Sequence, residues 1–175
     1  DYKDLTDVYA TVKEKYPDMV MMASNNSATP DTKYEMNDTL TDGFGVLMDH
    51  GQDTTVVDYY ETDEYKEFVE TMYDWQQKGY LSKDAATTTE SAENQVKAGA
   101  AFSYLAPNKP GYDTRAALLC GTEMEIAPIS EPWAGTAQIS YLTYGISSSS
   151  ADKDKTMQCL DYLYGNADIL NLLNW

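Results

Sequence analysis

The alternation of apolar and polar positions is sharpest between residues 54 and 86. TVVDYY reads as a short β-strand. Thr62 then stands where a helix N-cap belongs, and Asp63 and Glu64 set negative charge against the unpaired amides of a first turn. Tyr65, Phe68, Val69, Met72 and Trp75 follow at i, i+3, i+4, i+7 and i+10, one apolar stripe at helical period. Gly79 supplies the left-handed residue that ends a helix, and a polar loop follows. The pattern predicts a helix over 62–78, with Trp75 in the core.

The same reading extends in both directions. Leu5, Val8, Tyr9, Val12 and Tyr16 make an earlier helical stripe that Pro17 stops. Met19 to Ala23 is a wholly apolar run of strand length, the kind buried on both faces. Residues 24–42 are polar and turn-rich, a loop of the length that carries function or moves. GFGVLMD reads as a strand that pairs with TVVDYY through a turn at His50-Gly51-Gln52-Asp53. Beyond the long helix, Thr87 to Glu90 opens a shorter helix that ends at Gly99, and Ala100–Leu105 is the next strand. Asn108 can cap a helix with Pro110 in its first turn, running to Gly121. Met124–Ile129 and Ile139–Ile146 read as further strands. Ser147–Ser150 suits a flexible linker and a hinge equally well. A last helix places Met157, Leu160 and Tyr164 on one face. Alternating helices and strands predict an α/β arrangement, helices against a mixed sheet.

Composition narrows the function. The 175 residues suffice for one domain that buries about 70% of its unfolded surface. Tyrosine is abundant at 15 residues, and the net charge is −17. That charge argues against nucleic-acid and membrane-surface partners. No run in this segment is apolar enough for membrane insertion. The cysteines, Cys120 and Cys159, make no disulfide framework, and Cys159 among Met157, Leu160 and Leu163 predicts a buried free thiol. The chain opens inside a helix pattern and ends on an apolar run without a stop signal, the expectation for a piece of a longer polypeptide.

Reactive chemistry is thin. The single histidine, His50, sits in a turn with no second His or Cys to make a metal site, so a surface position is expected. There is no G-x-S-x-G elbow and no glycine-rich phosphate loop, and Asp152-Lys153-Asp154-Lys155 lacks the pattern of a calcium loop. No cofactor is expected. Glu123, Glu125 and Glu131 lie close enough to raise a glycosidase, whose carboxyl groups stand about 5 Å apart for retention and up to about 9.5 Å for inversion. Glu123 and Glu125 equally suit the solvent side of an alternating strand, with Met124 and Ile126 inward.

Several segments together resemble the extracellular solute-binding proteins of bacterial ABC importers, in the carbohydrate-type lipoprotein branch of Gram-positive bacteria. These are YKDLTDVYATVKEKYPDMV, the strand and helix running into KGYLSKDA, AENQVKAGAAFSYL, and TYGISSSSADKDKTMQCLDYLYGNADILNLLNW. The resemblance implies one lobe of a periplasmic-binding-protein-like type II fold over residues 1–144, the second lobe of the pair. Residues 145–175 would be a hinge strand and helices returning toward the first lobe. It also implies a small solute as ligand, an ABC permease as partner, and an extracellular protein attached to the cell surface by an anchor outside this segment.

Sugar recognition needs flat apolar rings against C–H faces and short polar groups for hydroxyls. In the predicted layout the candidates at strand ends are Tyr104, Asn108, Trp133 and Tyr141, with Glu131 as a hydroxyl acceptor. Each tyrosine also suits a core or rim position. The expected function is capture of an oligosaccharide without catalysis. A glycan-active hydrolase using the paired carboxylates and a cell-surface adhesion module are the alternatives.

Overall fold

The computed structural model describes residues 2–24, 37–40, 44–85, 87–132, 135–136 and 144–174. It divides into two compact units, 1–137 and 138–175.

In the first unit, helix α1 spans Leu5–Lys15 and leads to strand β1, Val20–Met22. The Lys13 ammonium closes the connection by donating to the Met19 carbonyl at 2.8 Å. β1 pairs in parallel with β5, Ala101–Ser103, in the register Val20↔Ala101 and Met22↔Ser103. On the other edge of β1, Leu81 forms a parallel bridge with Met22. Parallel neighbours need crossover connections, and helices supply them. Helix α3, Asp63–Gln77, precedes Leu81, and helix α4, Ala92–Lys97, precedes β5.

The predicted caps of α3 are present: the Thr62 hydroxyl accepts from the Tyr65 amide at 3.2 Å, and Gly79 has φ +69°. Its stripe buries Phe68 and Trp75 with Met72 beside them, while Val69 lies at the exposed margin. Trp75 packs edge to face on Tyr9, centroids 5.0 Å apart, and its indole N–H donates to Thr6 Oγ1 at 2.9 Å. With Tyr2, Met21, Met22, Tyr80 and Leu81 these residues form one apolar cluster between the strands and helices α1 and α3. Ala23, Ala92, Val96, Ala101 and Cys120 form a second, which joins α4 and helix α5, Tyr112–Cys120, to the strands.

A separate antiparallel sheet has the order β2–β3–β4, with β2 Asp38–Thr39, β3 Gly45–Leu47 and β4 Val56–Asp58. The hairpin predicted around His50 is there. Its one-turn connection, α2 at Met48–Gly51, holds Asp49, His50 and Gly51 in left-handed backbone. His50 is half-buried, with Nδ1 shielded, rather than lying on the surface. Asp38 is buried and grips Thr136: its carboxylate accepts from the Thr136 amide at 3.0 Å and hydroxyl at 2.6 Å.

Several expected boundaries shift. The shorter helix starts at Ala92, because the Ser91 hydroxyl caps the Asn94 amide, and not at Thr87 to Glu90. α5 starts at Tyr112 after Gly111 (φ +78°), so neither Asn108 nor Pro110 belongs to its first turn. Met124–Ile129 is irregular, without a ladder partner among the described residues, although exposure alternates from Glu123 to Ala127 as a strand's would. Residues 144–146 are irregular too, and the rest of the expected strand 139–146 lies outside the described residues.

The second unit holds a turn at Ser147–Ser150, helix α6 Lys153–Gly165 and helix α7 Ala167–Asn174. The Asp152 carboxylate caps α6 by accepting from the Lys155 amide at 2.9 Å, and Asn166 Oδ1 caps α7 at the Ile169 amide at 3.1 Å. Cys159 is exposed, not buried: Met157 is open to solvent as well, and Leu160 and Leu163 are only half-buried. Among the described residues no helix is long and apolar enough to cross a membrane.

Candidate functional site

β1 and β5 run in the same direction, so Ala23-Ser24 and Ser103-Tyr104 leave the sheet at its common carboxyl end. The carboxyl ends of such strands are where open α/β sheets hold ligands. Ser24 is fully buried at that end; its carbonyl accepts from the Gln95 carboxamide at 2.9 Å, and its hydroxyl has no hydrogen-bond partner among the described residues.

Tyr104 follows β5 directly and is half-buried against the second apolar cluster. The Tyr112 hydroxyl donates to the Tyr104 oxygen at 3.5 Å. Burial, then the neighbouring Tyr112 phenol, pushes the Tyr104 hydroxyl far above its ordinary range. It stays a neutral donor at any physiological pH.

Between Tyr104 and α5 the loop carries Asn108, Lys109 and Gly111 around an open cleft of about 420 Å³. Tyr112 and Asp113 from the first turn of α5 form one wall, and Glu125, between half-buried Met124 and Ile126, forms the other. A neighbouring depression of about 540 Å³ shares Asp113 and Met124 and continues past Leu118 and Glu123. The cleft offers a carboxamide, an ammonium, a phenol and two carboxylates in a small space. That set exchanges hydrogen bonds with a polyhydroxylated molecule and contains no activated nucleophile. No group of His, Cys, Asp and Glu among the described residues could hold a metal ion.

Of the sequence-derived candidates, Asn108 lines the cleft and Tyr104 supports it through Tyr112. Glu131 is exposed and is not part of the lining. Trp133 and Tyr141 lie outside the described residues. Sequence reasoning missed Lys109, Tyr112 and Asp113. Their signal was position alone, a polar loop and a helix start directly after a strand.

No protein-family model matches the chain. A carbohydrate ABC transporter substrate-binding protein of Streptococcus pneumoniae serotype 4 (strain TIGR4) is 26% identical over 171 residues, 97% of this chain and 34% of that protein. The crystal structure of the N-glycan transport solute-binding protein NgtS of S. pneumoniae with Man5GlcNAc superposes at a TM-score of 0.66 and 26% identity. That match covers 98% of this chain and 37% of NgtS. The NgtS complex with Man1GlcNAc gives a TM-score of 0.69 at 26% identity, with 98% and 38% covered. The chain thus spans about a third of the length of the proteins it matches. The resemblance to solute-binding proteins of ABC importers is borne out, as is the mixed α/β build of such a lobe. The matched relatives are solute-binding proteins, not enzymes.

Proposed function

We propose that the protein is part of an extracellular solute-binding protein that captures an oligosaccharide and hands it to an ABC permease. The likeness to NgtS along nearly the whole chain carries this reading. The polar cleft at the carboxyl end of β5 supports it, because its groups suit hydroxyls. Tyr104, Asn108, Glu131, Trp133 and Tyr141 are the proposed contacts, with Residues 1–144 as one lobe and 145–175 returning to the other. The mechanism is a population shift: a sugar that touches both lobes favours the closed form, which docks on the permease. The protein works outside the cell, held at its surface.

Catalysis has less support. Glu123 and Glu125 are both exposed on an irregular segment, where neither carboxyl is desolvated as a general acid must be. A thermal-shift screen against neutral oligosaccharides, peptides and nucleotides tests the reading. Stabilisation by the sugars alone supports it, and stabilisation by peptides alone overturns it. Turnover of chromogenic glycosides that Glu125→Gln abolishes would replace it with the hydrolase.

A further inference from the structure

The small antiparallel sheet carries an aromatic surface built from residues that take no part in the cleft beside β5. Phe44, just before β3, and Tyr59, just after β4, are held together by a hydrogen bond from the Tyr59 amide to the Phe44 carbonyl at 2.9 Å. The rings of Phe44 and Tyr60 meet edge to face with centroids 5.5 Å apart. Tyr60 meets Tyr65 at 4.9 Å, and Tyr65 meets Tyr59 at 5.2 Å. The rings therefore brace one another, yet Phe44 is 60% exposed and Tyr60 51% exposed. Val56 on strand β4 is also open to solvent. A contiguous aromatic patch of this kind marks a contact surface, unlike apolar residues scattered singly.

The surroundings select the occupant. From Asp49 to Tyr65 the chain has no Lys or Arg, while Asp53, Asp58, Glu61, Asp63 and Glu64 are all acidic. Asp58 and Glu61, which flank the paired tyrosines, are exposed. A second copy of this surface, or any anionic partner, would meet like charge. A neutral sugar would not: its C–H face lies on the rings and its hydroxyls donate to the carboxylates.

We propose that Phe44, Tyr60 and Tyr65 form a second carbohydrate contact, stacking a pyranose ring of a neutral oligosaccharide while Asp58 and Glu61 accept its hydroxyl protons in hydrogen bonds. The ligand class rests on the carbohydrate reading above; the position on the β3–β4 hairpin does not. Aromatic-ring NMR resonances of the protein, titrated separately with Man5GlcNAc, maltotriose and choline chloride, test it. The Phe44 and Tyr60 resonances should move saturably with at least one sugar. Tyr60→Ala should weaken that response about tenfold and Tyr60→Phe much less, because the ring supplies the contact. Tyr73→Ala, at an exposed tyrosine on α3, should leave it unchanged. Movement of Tyr104 and Tyr112 with Phe44 and Tyr60 still would overturn this surface and leave the proposed function standing. A response to choline alone would make the patch a cation site, and shifts on dilution without sugar would make it a self-association face; either outcome overturns the proposal. No response to either sugar anywhere would overturn both readings.

Discussion

The Tyr9 hydroxyl and Ser103 Oγ lie 2.8 Å apart, joining helix α1 to strand β5 across the core. Ser103 Oγ donates its one proton to the Met21 carbonyl at 2.8 Å, so Tyr9 must be the donor of the first bond. A single serine thus ties α1, β1 and β5 together just before the chain enters the candidate site. Ser103→Ala leaves a buried phenol without its acceptor and should cost about 1–3 kcal/mol, read as a lowered urea midpoint. A variant as stable as the parent would show that water replaces the serine.

Alkaline pH should unfold the protein earlier than its acidity alone implies. Burial pushes the hydroxyls of Tyr9, Tyr2 and Tyr104 above their ordinary value of 10.0. The folded state then holds protons that the unfolded chain releases. Stability is full below pH 10.0 and falls as the pH rises through the folded-state values. Tyr9→Phe should flatten that fall in a series of unfolding curves above pH 10.0. An identical slope in parent and variant would remove Tyr9 from the effect.

Gly51 and Gly99 both have positive φ, +78° and +72°, but differ in what surrounds them. A Cβ on Gly51 would stand 3.3 Å from the Asp38 side chain, which holds Thr136, whereas nothing lies within 4 Å at Gly99. Gly99→Ala should therefore cost only the left-handed strain, about 1–2 kcal/mol. Gly51→Ala should cost about 1 kcal/mol more, because the Asp38–Thr136 bonds must adjust. Equal losses in denaturant titrations would mean that Asp38 moves aside freely.

Helix α3 was legible because every signal for it is local: a hydroxyl cap at Thr62, acids in the first turn, a stripe of correct period and a glycine stop. The hairpin of β3 and β4 was legible for the same reason. Met124–Ile129 was not, since alternation marks which side chains face inward but cannot say whether a neighbouring strand supplies a ladder. Asn108 looked like a cap because Asn and Pro favour helix starts, yet Gly111 makes the turn that sets the axis of α5. Cys159 lies among apolar residues on α6, and no sequence pattern tells whether a second element covers its side of the helix. The cleft was half legible. Tyr104 and Asn108 follow from the end of β5, but Glu125 reaches the same space through tertiary packing alone. The ring cluster escaped because Tyr59 and Tyr60 read as the end of a strand, whereas they turn out of β4 in a short 3-10 helix.

Calorimetric titration of the protein with Man5GlcNAc tests the central claim most directly. Saturable binding is expected, weakened about tenfold by Asn108→Ala and by Trp133→Ala while the melting temperature holds, as loss of one hydrogen bond or stacked ring implies. Absence of heat with this and other neutral oligosaccharides, or affinities untouched by both substitutions, would contradict the account.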